Sequence, residues 1–193
     1  MLRPLAVAAL LLAATGCSGG SDPTPAPATP TPTPLSAFDT SGLTVARASF
    51  CANVAPASVE DALGGPVESS GEWANGERAR LSDDTTDVAH EFGCRWVAAD
   101  GATVTAWVFA PPVTPDRAES LRRAAKKAEG CRAVRAAPAY GASSVAVRCD
   151  DGTTAFHGLF GDAWLSCAIT TQPPADLDRT GRWCVTVAQA AQE

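Results

Sequence analysis

The chain of 193 residues is poor in the side chains that most often carry chemistry. It has two histidines, His90 and His157, a single methionine, and only Lys126 and Lys127 beside 13 arginines. No Cys-x-x-Cys occurs, which removes the spacing of a zinc ribbon or a thioredoxin-type site. His-Glu-x-x-His is missing, and no Gly-x-Ser-x-Gly occurs from Phe38 onward, so neither a zincin helix nor a nucleophile elbow is expected. Asp150, Asp151 and Asp162 lack EF-hand spacing and read as turn formers. No metal and no cofactor is therefore expected. Net charge is -6 with a pI near 4.9, which argues against nucleic acid and against broad adsorption to anionic lipid. The chain also lacks an apolar run long enough to span a bilayer. Leu5 to Ala14 gives ten apolar residues, about 15 Å as a helix, which is half a bilayer core.

With Arg3 ahead of it, that run reads as the core of a signal peptide. It ends in Leu11-Leu12-Ala13-Ala14-Thr15-Gly16-Cys17, which resembles a bacterial lipobox. The resemblance implies cleavage after Gly16 and acylation of Cys17 with fatty chains such as palmitate. Cysteine arithmetic points the same way. Of seven cysteines, setting Cys17 aside leaves Cys51, Cys94, Cys131, Cys149, Cys167 and Cys184, an even set that can pair fully in an oxidising compartment. Removing Met1 to Gly16 takes Arg3 with it and moves the formal charge from -6 to -7. Membrane attachment then falls to the acyl chains, and two such chains suffice. Frequent alanine and the arginine bias suggest a GC-rich genome and, with the lipobox, an actinobacterium.

Ser18 to Ser36 reads SGGSDPTPAPATPTPTPLS. Alternating proline fixes φ, removes donors and favours polyproline II, so this segment is expected to stand outside a packed core. About twenty residues at about 3.1 Å each make a stalk of roughly 60 Å. Thr24, Thr29, Thr31 and Thr33 sit among the prolines as acceptors for O-linked sugar, and an unmodified spacer fits equally well. The expected organisation is a signal peptide over 1–16, lipidated cysteine and stalk over 17–37, and one disulfide-bonded domain over 38–193.

Within that domain, Ala55 to Leu63 followed by Gly64-Gly65 predicts a short helix with Pro56 in its first turn. Strand patterns follow at about 77–82, 89–98 and 102–110, the last two joined by Ala99-Asp100-Gly101. Thr114-Pro115-Asp116 opens a second helix with a thin apolar face of Ala118, Leu121, Ala125 and Ala128. Three more strands are expected at about 143–149, 153–160 and 163–171, then a last helix from Asp176 or Asp178 to about Ala191. Helix, three strands, helix, three strands, helix is an α+β order. It predicts an antiparallel meander sheet of about six strands with helices packed largely on one side, and it hints at an internal duplication.

Cys94, Cys149, Cys167 and Cys184 share faces with core residues, which fits buried disulfides. Fifteen connectivities are open. Nearest-neighbour pairing is the expectation: Cys51–Cys94, Cys131–Cys149 and Cys167–Cys184. Alternation places His90 with Phe92 and Cys94, and His157 with Ala155 and Leu159, so both histidines are expected to be packed and structural. A catalytic alternative pairs one of them with Ser143, Ser144 or Ser166 and an aspartate. Arg122, Arg123, Lys126 and Lys127 form a basic ridge suited to anionic surfaces, or simply a solvated helix face near the negative end of the dipole. Trp107 and Phe109 face away from Val104, Ala106 and Val108, either lining a groove or covered on the second side of the sheet.

Phe50-Cys51, the helix ending in Gly64-Gly65, and Cys94-Arg95-Trp96 together resemble a group of actinobacterial cell-envelope lipoproteins classed as a domain of unknown function. The likeness covers Cys51 to Trp96 and implies no activity. The expectation is a membrane-anchored, non-catalytic binding or accessory module on the extracytoplasmic face. Its partners would be the membrane itself and an envelope protein or cell-wall polymer. The alternative is a cell-wall or lipid-processing hydrolase using His90 or His157.

Overall fold

The computed structural model describes residues 32–80 and 86–192. Cys17 and most of the stalk lie outside them. Twelve regular elements are described: α1 (Pro56–Leu63), β1 (Val67–Trp73), β2 (Arg78–Arg80), β3 (Thr86–Val88), β4 (Glu91–Ala98), β5 (Thr103–Phe109), α2 (Pro115–Lys127), β6 (Cys131–Ala133), β7 (Ala142–Cys149), β8 (Thr153–Phe160), β9 (Ala163–Thr170) and α3 (Leu177–Ala190). Among the described residues no helix is long and apolar enough to cross a membrane.

The local signals act as their chemistry requires. Thr114 caps α2 by accepting the Arg117 N–H, and Asp176 caps α3 by accepting that of Arg179. Gly64 closes α1 at φ 76°, a left-handed conformation that glycine adopts without a Cβ clash. The fold is α+β. One antiparallel sheet runs in the order β1-β4-β5-β9-β8-β7-β6, with a separate β2–β3 hairpin inserted between β1 and β4.

Helices cover both faces of the sheet, not chiefly one. On the first face, α1 and α3 bury Val59, Leu63, Val185 and Val187 against Val104, Val108, Phe156, Leu165 and Ile169. Trp183 of α3 meets Trp96 edge-on at 5.6 Å and donates its indole N–H to the Thr105 carbonyl. Across the sheet, α2 lays Ala118 and Leu121 on Leu159 and Trp164, and Ala125 on Val145, Val147 and Ala155. Alternation explains the split. Strands β5, β8 and β9 are apolar on both sides, so a second layer is needed opposite α1 and α3. Helix and strands recur in order in the two halves, which meet at the β5–β9 pair, but α1 and α2 fall on opposite faces.

The packed body begins earlier than Phe38. Leu35 is 3% exposed, and Gly181 of α3 lies under it, where a Cβ would come within 3.0 Å of the Leu35 Cβ. Strands β1, β3 and β6 were not expected from the pattern. Five of the seven β1 residues, Val-Glu-Ser-Ser-Gly, carry no apolar alternation, because this edge strand is exposed along all but its last position.

The three disulfides pair as nearest neighbours: Cys51–Cys94, Cys131–Cys149 and Cys167–Cys184, across 43, 18 and 17 residues. In the chain-entropy view, loops of that size contribute about 3 to 4 kcal/mol each. Cys167–Cys184 fastens β9 to α3, Cys131–Cys149 bridges directly paired positions of β6 and β7, and Cys51–Cys94 holds the turn before α1 on β4.

Candidate binding cleft

Because α2 lies over the β6–β9 side of the second face and reaches no farther than Trp107 and Phe109 of β5, the β1–β4 side is open to another cover. The β2–β3 hairpin takes part of that role. Gly76 N–H donates to the Ala89 carbonyl and Ala89 N–H to that of Glu77, so the hairpin leaves the sheet as a continuation of β1 and β4. A cleft of about 390 Å³ results. Ser69, Gly71 and Trp73 of β1 and Arg95 and Val97 of β4 form its floor, and Glu77, Arg78 and Arg80 rise beside it.

Trp73 is the fixed wall of this cleft. Its indole lies flat over Gly93, where a Cβ would fall 2.2 Å from Trp73 Cζ2, so only glycine leaves room for it. The indole N–H donates to Glu91 Oε1 at 3.2 Å. Burial raises the Glu91 carboxyl above its usual range, and the hydrogen bond from Trp73 partly offsets that. Arg78 and Arg80 alternate around Ala79 and so share one side of the hairpin. The cleft is thus a concave surface with an aromatic wall, and Glu72 and Glu77 line it together with Arg78, Arg80 and Arg95, so side chains of both charges face it.

The same sheet face carries a row of paired positions running Trp73, Gly93, Trp107, Ser166, His157 and Val145 from β1 to β7. Trp107 and Phe109 lie 5.0 Å apart and pack, half-buried, against the α2 layer. They therefore help cover the second side. His157 stacks on Trp164, 7° from parallel, and shares a 2.8 Å hydrogen bond between its Nδ1 and Ser166 Oγ. Burial pushes the imidazole down to about 4. Ser166 itself is 2% exposed.

His90 departs from its expected place. It is exposed, one residue ahead of β4, because the strand begins at Glu91 and alternation does not reach it. Ser144 accepts the Tyr140 N–H within the irregular start of β7, where Ser143 takes φ 48°, so both serines serve the backbone turn. The aspartates act in turns. Asp151 accepts from Thr153 N–H, Asp150 pairs with Arg132, and Asp162 pairs with Arg47. Among the described residues no group of three or more His, Cys, Asp or Glu is placed to hold a metal.

The basic ridge is thinner than its sequence suggests. Arg122 is half-buried and bonds Glu119 through two nitrogens at 2.6 and 2.7 Å, leaving Arg123, Lys126 and Lys127 exposed. Sequence reasoning did not single out Arg78, Arg80 or Trp73 as site residues. The one available signal was the alternation Arg-Ala-Arg in a strand, which carries no ligand information by itself. No protein-family model matches the chain, nor does any curated protein or solved structure.

Proposed function

We propose that this chain is a lipid-anchored lipoprotein on the extracytoplasmic face of a bacterial cell membrane, with its domain acting as a non-catalytic binding or accessory module of the envelope. The observation that carries the reading is how the seven cysteines divide. Six close three disulfides, a state that persists in oxidising compartments. The seventh is Cys17, at the end of the lipobox-like run. Two acyl chains there would hold the protein stably, and the proline-rich stalk would lift the domain into the wall layer. The likeness to actinobacterial envelope lipoproteins belongs to the same proposal. The arginine cleft supplies a face for a partner.

A hydrolase is the second reading, and the Ser166–His157 hydrogen bond is what favours it. Nucleophilic hydrolysis at neutral pH needs a base matched to that pH and a hydroxyl that substrate can reach. His157 is pushed down to about 4, Trp164 stacks on its ring, and the Ser166 side chain is covered. These features describe a packed polar pair, and they support the binding module.

The test is Cys17→Ser in the native host. Its intact mass should lose the acyl increment, and the protein should leave the membrane fraction after alkaline washing. Unchanged mass and unchanged partitioning overturn the reading.

A further inference from the structure

We infer that a hollow between α2 and the start of β7 is a binding site for the phosphate group of a small phosphate ester. The hollow measures about 310 Å³ and lies at the β6–β7 edge of the sheet, the edge opposite β1. Lys126 of α2, Arg135 of the turn after β6 and Ser144 of β7 line it. Every other lining residue is alanine, valine or proline, and no Asp or Glu is among them. Its size stands at the small end of the range for small-molecule sites.

Three elements bring these donors together. After β6 the Val134 N–H donates to the Ala146 carbonyl, and the chain then turns at Arg135 and Ala136. The pairing of β7 with β8 shifts register between Ala142 and Val145, so β7 carries one extra residue there. Such a bulge re-aims the side chains beside it. Within it, Ser143 at φ 48° is the only non-glycine residue at positive φ among the described residues. Ser144 Oγ accepts the Tyr140 N–H at 2.8 Å. That bond fixes the oxygen and leaves the hydroxyl proton to donate to another group.

The carboxylates around the hollow are engaged elsewhere. Arg122 holds Glu119 through two nitrogens, and Arg132 pairs with Asp150. Lys126 acts on Glu119 only through its longer-range field. No ion pair or hydrogen bond engages the Arg135 side chain among the described residues. From Arg122 to Arg135 the chain carries six cations and one carboxylate, Glu129, which is exposed and does not line the hollow. The C-terminal end of the α2 dipole is worth about half a negative charge. Against it stand Lys126 and Lys127, the only lysines in the chain.

The donors select the ligand. A carboxylate offers two oxygens in one plane, whereas a phosphate ester offers three around a tetrahedron and carries more charge. A guanidinium, an ammonium and a hydroxyl on separate elements match the second. The apolar walls suit the carbon part of the ester.

This inference goes beyond the anchored-module reading and does not involve Cys17, so failure of either leaves the other standing. Glycerol 3-phosphate, glycerol and acetate are titrated by calorimetry into the full-length chain in nonionic detergent near neutral pH. Glycerol 3-phosphate should bind saturably at one site and at least about tenfold more tightly than acetate, while glycerol should give no binding heat. Lys126→Ala combined with Arg135→Ala should melt like the wild type, since both side chains are exposed, and weaken that binding by about tenfold or more. Arg78→Ala combined with Arg80→Ala, at the other edge of the sheet, should leave it unchanged. Competition identifies the source: displacement by micelles doped with phosphatidylglycerol assigns the site to a lipid headgroup, and persistence of binding assigns it to a free phosphate ester. No saturable binding, acetate bound as tightly, or wild-type affinity in the folded Lys126→Ala, Arg135→Ala protein would each overturn the inference. An equal loss in the Arg78→Ala, Arg80→Ala protein would reveal diffuse attraction in place of a site and overturn it too.

Discussion

His157 should make this protein acid-sensitive, and the size of the effect follows from its surroundings. The imidazole is stacked on Trp164, lies 6.4 Å from the ring of Trp107, and is bonded to Ser166. Burial is the cause of its depressed value, about 4 in the folded protein against 6.5 for a free histidine. Between those values the unfolded chain binds a proton that the folded chain refuses. Stability therefore rises with pH across the window from about 4 to 6.5, and it is lost as pH falls through it. A complete loss amounts to about 3 kcal/mol, of which about 2.5 should be gone by about pH 4.5. That is a large share of the ~5–15 kcal/mol that holds a typical domain together. Glu91 works in the opposite sense, since a raised carboxyl protonates first in the folded state and favours it at low pH. The clean measurement is thus a difference. Urea unfolding of the wild type and of His157→Gln, at about pH 7.5 and about pH 4.5, cancels Glu91 and every other carboxylate. Glutamine keeps a hydrogen-bonding group near Ser166 and does not titrate. The wild type should lose about 2 to 3 kcal/mol more than the variant on acidification. Parallel losses in the two proteins would refute the argument that burial holds His157 neutral.

Three further outcomes are expected. Under native conditions with rising phosphine reductant, alkylation mapped by mass spectrometry should first label Cys131 and Cys149, both half-buried at the sheet edge. Cys167 and Cys184, each 0% exposed, should be labelled last; the reverse order would show that access does not govern reduction here. Tyr140 is buried with its hydroxyl unpartnered among the described residues, so Tyr140→Phe should leave stability unchanged or raise it by about 1 kcal/mol in urea unfolding. A loss above about 1 kcal/mol would reveal a partner for that hydroxyl. Gly93→Ala should displace the Trp73 indole from Glu91 and cost about 1 to 3 kcal/mol, with a shift in tryptophan emission; a variant with wild-type melting and emission would refute the close approach.

Much of this protein was legible from neighbouring residues alone. Thr114 and Asp176 cap their helices, Gly64 and Gly101 turn the chain at positive φ, and β8 fills the run between the turns at Gly152 and Gly161. These are local rules: a cap or a turn depends on residues within one helical turn. The nearest-neighbour disulfide pairing was legible for a related reason: Cys131–Cys149 and Cys167–Cys184 each join elements adjacent in sequence, and Cys51–Cys94, across 43 residues, is the pair that remains. Tertiary structure decided what local rules do not reach. Residues of β5, β8 and β9 are apolar on both sides, so alternation could not say which face α2 would take, and packing sent it opposite α1 and α3. β1 was illegible because a strand exposed on both faces has no apolar period to read. The position of His90 turned on where β4 starts, a matter of one residue. The cleft exists only because α2 leaves the β1–β4 side uncovered and the β2–β3 hairpin rises beside it. It joins Trp73 and Arg78 to Arg95 across a sheet, and that is a property of strand pairing and not of spacing along the chain.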